Sequence, residues 1–144
     1  MALPSPIRVV LDTNVVFEGL TNEGGSCGLI INLWRTGLLR ACVSDTLIYE
    51  YEDVFSRKLS KQRWEEITLV IDDLLDQHSD FTAIYFSWRP ASPDPGDDHV
   101  INCALNANAP IITSNIRDFR QARQKLGLQV LTPTELLELL TREA

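Results

Sequence analysis

Residues 7–14 read Ile-Arg-Val-Val-Leu-Asp-Thr-Asn, and this stretch decides the fold. Its first five residues are mostly apolar and rich in β-branched side chains, and the run is too short for helical periodicity. They predict a buried strand of a parallel sheet. The polar residues Asp12, Thr13 and Asn14 follow this strand at once. Because ligands of open α/β sheets bind beyond the carboxyl ends of the strands, we expect a functional edge here.

Strands and helices alternate along the rest of the chain. Further strands are predicted at Leu38–Val43, Phe81–Phe86, Ile111–Thr113 and Gln129–Leu131. Between them lie segments with apolar residues at helical spacing, including a helix predicted at Asp97–Ala107. Helices are predicted to begin at the N-caps Ser44 and Ser60 and at the capping box Thr132-Pro133-Thr134-Glu135. Trp88–Pro95 is predicted to be a loop. This alternation predicts an α/β fold in which helices cover both faces of a central parallel sheet, within a single domain spanning residues 1–144.

The composition of the chain argues against several classes of protein. The chain has 144 residues, 44 % of them hydrophobic, and a formal net charge of −7. It lacks the basic excess that strong duplex binding needs. It also lacks an apolar run of membrane-spanning length and a signal peptide, so we expect a cytoplasmic protein without a membrane partner. The three cysteines (Cys27, Cys42 and Cys103) show no paired spacing and are predicted to be reduced core residues.

Oxygen-bearing side chains from four distant segments are expected at one edge of the sheet, and hard cations such as Mg²⁺ and Mn²⁺ take such ligands. They are Asp12, Asn14, Glu50, Asp97, Thr113, Ser114 and Asn115. Each residue also has an ordinary structural interpretation. Asp12 could end a strand, Glu50 could lie on a solvated helix face, and Asp97 with Asp98 could stabilise a helix N-terminus. Asn115 and Asp118 could be turn residues.

Taken together, three blocks of sequence resemble the PIN-domain nucleases, and in particular the VapC-related toxin branch of toxin–antitoxin systems. The blocks are Val9-Val10-Leu11-Asp12-Thr13-Asn14-Val15, Ser44 to Tyr51, and Asp97-Asp98-His99-Val100-Ile101 running on to Thr113-Ser114-Asn115-Ile116-Arg117-Asp118-Phe119. The resemblance covers nearly the whole chain. It implies a three-layer α/β/α sandwich around a parallel sheet. It also implies hydrolysis of phosphodiester bonds in single-stranded or loop RNA with Mg²⁺ or Mn²⁺.

The same resemblance assigns roles to individual residues. Asp12, Glu50 and Asp97 match the acids that hold the metal. Asn115 takes a fourth catalytic position that is an aspartate in many members, so the occupancy of a second metal is in question. Asn14, Thr113 and Asp118 are expected to orient carboxylates, water or substrate. The implied partners are an RNA substrate, an antitoxin protein and a second copy of the chain in a homodimer.

Physical chemistry favours the same site independently of the resemblance. Carboxylates forced together repel one another, and a divalent ion removes this penalty while lowering the pKa of a bound water. An acidic pocket would repel RNA, so basic side chains should flank it. Two clusters are available: Arg117, Arg120, Arg123 and Lys125, and Arg57, Lys58, Lys61 and Arg63. Solvated surface is the alternative interpretation of both clusters.

Four other functions fit less well or stay open. A phospho-acceptor receiver needs a lysine after its last strand, and a haloacid-type phosphatase needs an aspartate where this chain has Asn14. A housekeeping RNA-processing nuclease would use the same site as a toxin. A catalytically weak PIN scaffold that binds RNA or protein is the non-enzymatic alternative, and Asn115 is the residue that favours it.

Overall fold

Five parallel strands form one sheet in the order β3-β2-β1-β4-β5. The computed structural model describes residues 6–87 and 95–143. The strands are β1 (Ile7–Leu11), β2 (Leu39–Val43), β3 (Ser79–Phe81), β4 (Ile111–Ile112) and β5 (Val130–Leu131). Helices flank this sheet, so the predicted α/β sandwich with a parallel sheet is confirmed.

Within the two described ranges, seven helices connect and cover the strands. They are α1 (Thr13–Thr21), α2 (Ser26–Arg35), α3 (Asp45–Lys58), α4 (Lys61–Gln77), α5 (Pro95–Ala107), α6 (Arg120–Leu126) and α7 (Pro133–Glu143), with a 3-10 turn at Ile116–Phe119 before α6. Helix α5 packs on β1, β2 and β4 and also contacts α3, whereas α2 contacts β2, α1 and α7. The predicted loop from Trp88 lies outside the described residues, except that Pro95 begins α5.

Strand β1 lies at the centre of the sheet because it is apolar on both faces. Val9, Val10 and Leu11 are fully buried. On one side β1 pairs with β2, and on the other side it pairs with β4. The strand order therefore reverses at β1, with β2 and β3 on one side of it and β4 and β5 on the other. Such a switch point opens a crevice beyond the strand ends, and ligands of open α/β sheets bind there. Asp12 is the first residue beyond β1.

The predicted strand Phe81–Phe86 is wrong in position and length. Strand β3 ends at Phe81 because its partner β2 ends at Val43, and the last hydrogen bond of this pairing runs from the Thr82 amide to the Val43 carbonyl (2.7 Å). The chain beyond is held differently. The Asn106 side chain accepts from the amides of Tyr85 and Phe86 (2.9 and 3.3 Å). The aromatic residues of this segment led to the prediction of a strand. Its backbone is instead held by hydrogen bonds to Asn106 on α5.

Helix α1 was not predicted from the sequence. It starts directly after β1, with Asp12 ending the strand and capping the helix, so no loop residue marks the boundary. Its close packing on α2 requires Gly19, where a Cβ atom would lie 2.6 Å from the carbonyl oxygen of Cys27. The segment between β1 and β2 therefore contains two helices, and α1 adds a wall to the functional edge.

An ion-paired aspartate joins three neighbouring strands. Asp80 on β3 accepts from Arg8 on β1 (2.9 Å) and from Arg40 on β2 (2.8 Å). Burial opposes ionisation of Asp80, but the hydrogen bonds from the two arginines outweigh it and lower the pKa of this carboxyl group. All three side chains are partly exposed, so the pairs contribute little to stability and serve mainly to order this part of the sheet.

The cysteines lie in the core, as predicted. Cys27, Cys42 and Cys103 are buried and free. Burial raises the pKa of all three thiols, and that of Cys103 rises to about 12. Thiols with raised pKa values are poor nucleophiles at neutral pH, so the cysteines are packing residues. In the described part of the chain, no helix combines the length and the apolar character needed to cross a membrane.

Candidate active site

An acidic cavity of about 490 Å³ lies beyond the carboxyl end of β1. Its walls come from α1, α3, the first turn of α5 and the 3-10 turn after β4. Five carboxylate side chains line it: Asp12, Glu18, Glu50, Asp97 and Asp118. Asn14, Phe17 and Lys58 are also part of the lining. The cavity therefore brings together Asp12, Glu50 and Asp97, the three acids singled out in the sequence.

Asp12 is held more tightly than any other acid of the acidic cavity for which contacts are resolved. Only 6 % of it is exposed. Its Oδ1 accepts from the Thr13 amide (2.8 Å), which caps α1, and its Oδ2 accepts from the Thr113 hydroxyl (2.7 Å). Its own amide donates to the Ile112 carbonyl (2.9 Å). Strand, helix and side-chain bonds thus fix one carboxylate at the floor of the cavity.

Glu50 reaches the cavity from α3 because this helix is anchored on β1. Its neighbour Tyr51 is buried, and the Tyr51 hydroxyl donates to the carbonyl of Leu11, the residue before Asp12. Burial raises the pKa of Tyr51 well above its ordinary value, so the hydroxyl stays a protonated donor. Glu50 itself is half-buried. The register of α3 therefore turns Glu50 inward, while Glu52 is exposed and does not line the cavity.

Asp97 projects from the first turn of α5 and is half-buried, with its Oδ2 atom shielded from solvent. Its neighbour Asp98 is not among the residues that line the cavity. A carboxylate in the first helical turn is also stabilised by the helix dipole. The helix dipole therefore favours an acid at both positions, but only Asp97 lines the cavity.

Thr113 and Asn115 do not line the acidic cavity, since Thr113 is fully buried and Asn115 is exposed at the surface. The Asn115 side-chain amide donates to the Asp118 carboxylate (2.7 Å), and Asp118 is a lining residue. The Asn115 backbone amide donates to the Thr113 hydroxyl (3.0 Å), which in turn donates to Asp12. A chain of hydrogen bonds thus connects two acids of the cavity through two uncharged residues.

Two charged lining residues, Glu18 and Lys58, were not identified as site residues from the sequence. Glu18 belongs to the unpredicted helix α1, one turn after Asn14, and accepts from the Asn22 side chain (3.2 Å). The spacing of Asp12, Asn14 and Glu18 would have indicated this wall, had α1 been recognised. Lys58 was one of several lysines and arginines in a basic segment, and nothing in the sequence separates it from them.

The donor set fits a hard divalent cation, but the carboxylates do not converge on one point. Within residues 6–87 and 95–143, no three histidine, cysteine or carboxylate side chains stand close enough together to hold a metal ion as they are. All five acids offer oxygen ligands, as Mg²⁺ and Mn²⁺ require. The acidic cavity thus supplies suitable metal ligands on facing walls, but these ligands are not close enough together to form a complete coordination site.

The sequence profile of the PIN domain matches residues 8–117, which is more than half of the chain. The chain therefore belongs to the PIN domain family, whose members are typically nucleases and typically bind divalent metals.

Among solved structures, a chain in the crystal structure of VapBC2 from Rickettsia felis bound to a DNA fragment from their promoter has a similar fold. The TM-score is 0.61, the alignment covers 88 % of this chain and 98 % of that chain, and the sequence identity is 14 %. At this identity the likeness establishes the fold. None of the curated proteins matches the chain in sequence.

Proposed function

We propose that this protein is a metal-dependent endoribonuclease that hydrolyses phosphodiester bonds in single-stranded or loop RNA. The observation that carries the proposal is the convergence of acids from four segments on one cavity, at the switch point of the sheet, in a chain of the PIN domain family. A concave site suits a flexible strand better than a rigid duplex. The overall charge of −7 gives no general attraction to nucleic acid.

In this proposal Asp12, Glu50 and Asp97 hold Mg²⁺ or Mn²⁺. The ion, when bound, supplies Lewis-acid polarisation of the phosphodiester and lowers the pKa of a nearby water. Glu50 acts either as a ligand of the ion or as the base that orients the attacking water and accepts its proton. The water oxygen bonds to phosphorus, the bond from phosphorus to the 3′-oxygen breaks, and the leaving oxygen takes a proton from solvent.

The remaining site residues hold these groups in position. Thr113 fixes the orientation of Asp12 through the 2.7 Å hydrogen bond to Oδ2. Asn115 fixes Asp118, so we assign Asn115 a positioning role and place Asp118, rather than Asn115, at the cavity wall. Asn14 lines the cavity and offers an amide to water or substrate.

A cleavage assay on a mixed pool of single-stranded RNA, with and without Mn²⁺, tests the proposal. Glu50→Gln and Asp97→Asn should each lower the cleavage rate by about 10²-fold or more, because each removes a charge from the reacting centre. Glu52→Gln and Asp98→Asn are matched controls on the same helices, and they should retain the activity. Equal cleavage by wild type and Asp12→Ala would show that the activity belongs to a contaminant.

The second candidate function is a binding scaffold with weak catalysis. The observation that favours it is the absence, within the described residues, of a group of three acids close enough to hold a metal. A scaffold would bind RNA or protein without hydrolysis and without a need for Mn²⁺. Calorimetric titration of Mn²⁺ separates the two candidates, since only the nuclease should lose metal affinity in Asp12→Asn and Asp97→Asn.

We further propose that the nuclease is the toxin of a toxin–antitoxin pair and is neutralised by an antitoxin protein. The similarity of fold to a chain of the VapBC2 structure supports this proposal. Expression of the wild-type chain alone should arrest growth, expression of Glu50→Gln should not, and a small co-encoded protein should relieve the arrest. Harmless expression of a chain that cleaves RNA in vitro would instead indicate a housekeeping RNA-processing nuclease.

A further inference from the structure

Lys58 is the single lysine or arginine among the described residues that line the acidic cavity. It is the last residue of α3, two turns beyond Glu50 on the same helix. The other lining residues that carry charge are all carboxylates. A cation at this position therefore faces the same space as the acids that are proposed to hold the metal.

An aromatic ring lies beneath the Lys58 ammonium group. Its Nζ lies 5.1 Å from the centroid of the Phe17 ring, within the range of a cation–π contact. Phe17 packs against Phe55 (5.2 Å between ring centroids), and Phe55 stacks on Trp64 (6.0 Å). Since Phe55 is fully buried, this aromatic row is part of the core. The exposed Lys58 side chain thus lies at the cavity rim over a ring that packs against the core.

The neighbouring basic residues have different surroundings. Arg57 pairs with Asp53 on the exposed side of α3 (3.0 Å) and does not line the cavity. Lys61 and Arg63 are exposed on α4 and do not line it either. The structure therefore separates the basic segment 57–63 into one cavity-facing lysine and three residues that lie elsewhere.

We propose that Lys58 binds a backbone phosphate of the single-stranded RNA substrate, next to the phosphodiester that is cleaved. This inference rests on the proposed nuclease function. An RNA strand that enters an acidic cavity brings further negative charge, and a divalent ion offsets only part of the repulsion. A lysine ammonium group donates charge-assisted hydrogen bonds to phosphate oxygens, and here it lies over Phe17 among the residues that line the cavity. Lys58 is thus a substrate-binding residue.

Two substitutions of adjacent residues test the proposal. Lys58→Met removes the charge but keeps an unbranched chain on Phe17, and Arg57→Met makes the same change outside the cavity. With a short single-stranded RNA, Lys58→Met should raise KM about tenfold with kcat little changed, and Lys58→Arg should restore KM. Arg57→Met should leave KM close to that of the wild type.

Binding measured without turnover gives a second readout. In the Asp12→Asn background, the affinity for a fluorescently labelled single-stranded RNA is followed by anisotropy as salt is raised. Loss of one phosphate contact should reduce the slope of log K against log salt by about 0.7 in the Lys58→Met protein. The slope of the Arg57→Met protein should not change.

Two results would overturn the inference while leaving the nuclease function standing. One is metal-dependent cleavage by the wild type together with equal KM values and salt slopes for Lys58→Met and Arg57→Met. The other is tighter Mn²⁺ binding by Lys58→Met with no change in KM, because Lys58 would then only neutralise the acids. Failure of the nuclease proposal has a different signature, namely no Mn²⁺-dependent cleavage by the wild-type chain.

Discussion

Asp12 shows how a single residue can serve both the fold and the site. It ends β1, caps α1, and receives the Thr113 hydroxyl from beyond β4. Asp12, Glu50 and Asp97 could be predicted as a set because the resemblance to PIN-domain nucleases singles them out among the oxygen-bearing side chains expected at one edge of the sheet. Glu18 and Lys58 could not, because their positions depend on helix α1 and on the Phe17 ring that it carries.

Thr113→Val should impair the site through Asp12, without touching the substrate. Valine matches threonine in shape but leaves the Asp12 Oδ2 atom and the Asn115 amide without the buried hydroxyl. We expect a loss of about 1–3 kcal/mol in the free energy of unfolding, and a loss of about 10–100-fold in Mn²⁺ affinity or activity. Thr113→Ser keeps the hydroxyl and is the control. Equal Mn²⁺ affinities for the two variants would contradict a positioning role for Thr113.

At the scale of secondary structure, helix α3 carries two charged residues of the acidic cavity, Glu50 and Lys58. Its start is fixed by the Ser44 side chain, which accepts from the Leu47 amide (3.2 Å), as the sequence predicted. Its middle is fixed by the hydrogen bond from Tyr51 to the Leu11 carbonyl. The helix is therefore tied to the same strand that presents Asp12, and the relative positions of the two acids follow from this anchor.

Tyr51→Phe removes this anchor and leaves the Leu11 carbonyl without the tyrosine donor. We expect the free energy of unfolding to fall by about 1–2 kcal/mol, together with a lower kcat because Glu50 loses its fixed position. Tyr49→Phe makes the same chemical change on the same helix at a side chain that is 72 % exposed, and it should stay within about 0.5 kcal/mol of the wild type. Denaturant unfolding and steady-state kinetics measure both effects. The anchor would have no functional role if the two variants had the same kcat.

At the scale of the whole molecule, the strand order places the acidic cavity at the switch point between β1 and β4. The cavity collects five carboxylates from the end of β1, from α1, α3 and α5, and from the 3-10 turn after β4, in a protein that already carries a net charge of −7. Like charges on facing walls repel one another and oppose the compact state. A divalent ion that binds the folded cavity and not the unfolded chain should therefore stabilise the fold.

Mn²⁺ should raise the midpoint of thermal unfolding, and chelation should reverse the change. At a free Mn²⁺ concentration of 100 times Kd, the stabilisation should approach about 2.7 kcal/mol. Asp97→Asn should reduce this response, whereas Asp98→Asn, which alters the neighbouring residue outside the cavity, should keep it. Differential scanning fluorimetry over a range of Mn²⁺ concentrations measures the unfolding midpoints of the wild type and of both variants. Identical midpoint shifts in the two variants would remove Asp97 from the metal site.

The sequence by itself determined the features that depend on neighbouring residues. The alternation of short apolar runs with amphipathic segments predicted the parallel α/β fold. The box at the start of α7 formed as expected, with Glu135 accepting from the Thr132 amide and the Thr132 hydroxyl accepting from the Glu135 amide (both 3.0 Å). Caps of this kind need only residues three positions apart, so the pattern is visible in the chain.

Tertiary structure alone decided which groups meet across the sheet. The end of β3 is set by the end of β2, and the backbone at Tyr85 and Phe86 is held by Asn106. The packing of α1 against α3 brings the Lys58 ammonium group over the Phe17 ring at the cavity rim. Each of these contacts joins residues at least 20 positions apart. Their formation depends on how whole elements pack, which local preference does not encode. The sequence therefore identified Asp12, Glu50 and Asp97, whereas packing brought Glu18 and Lys58 to the same cavity.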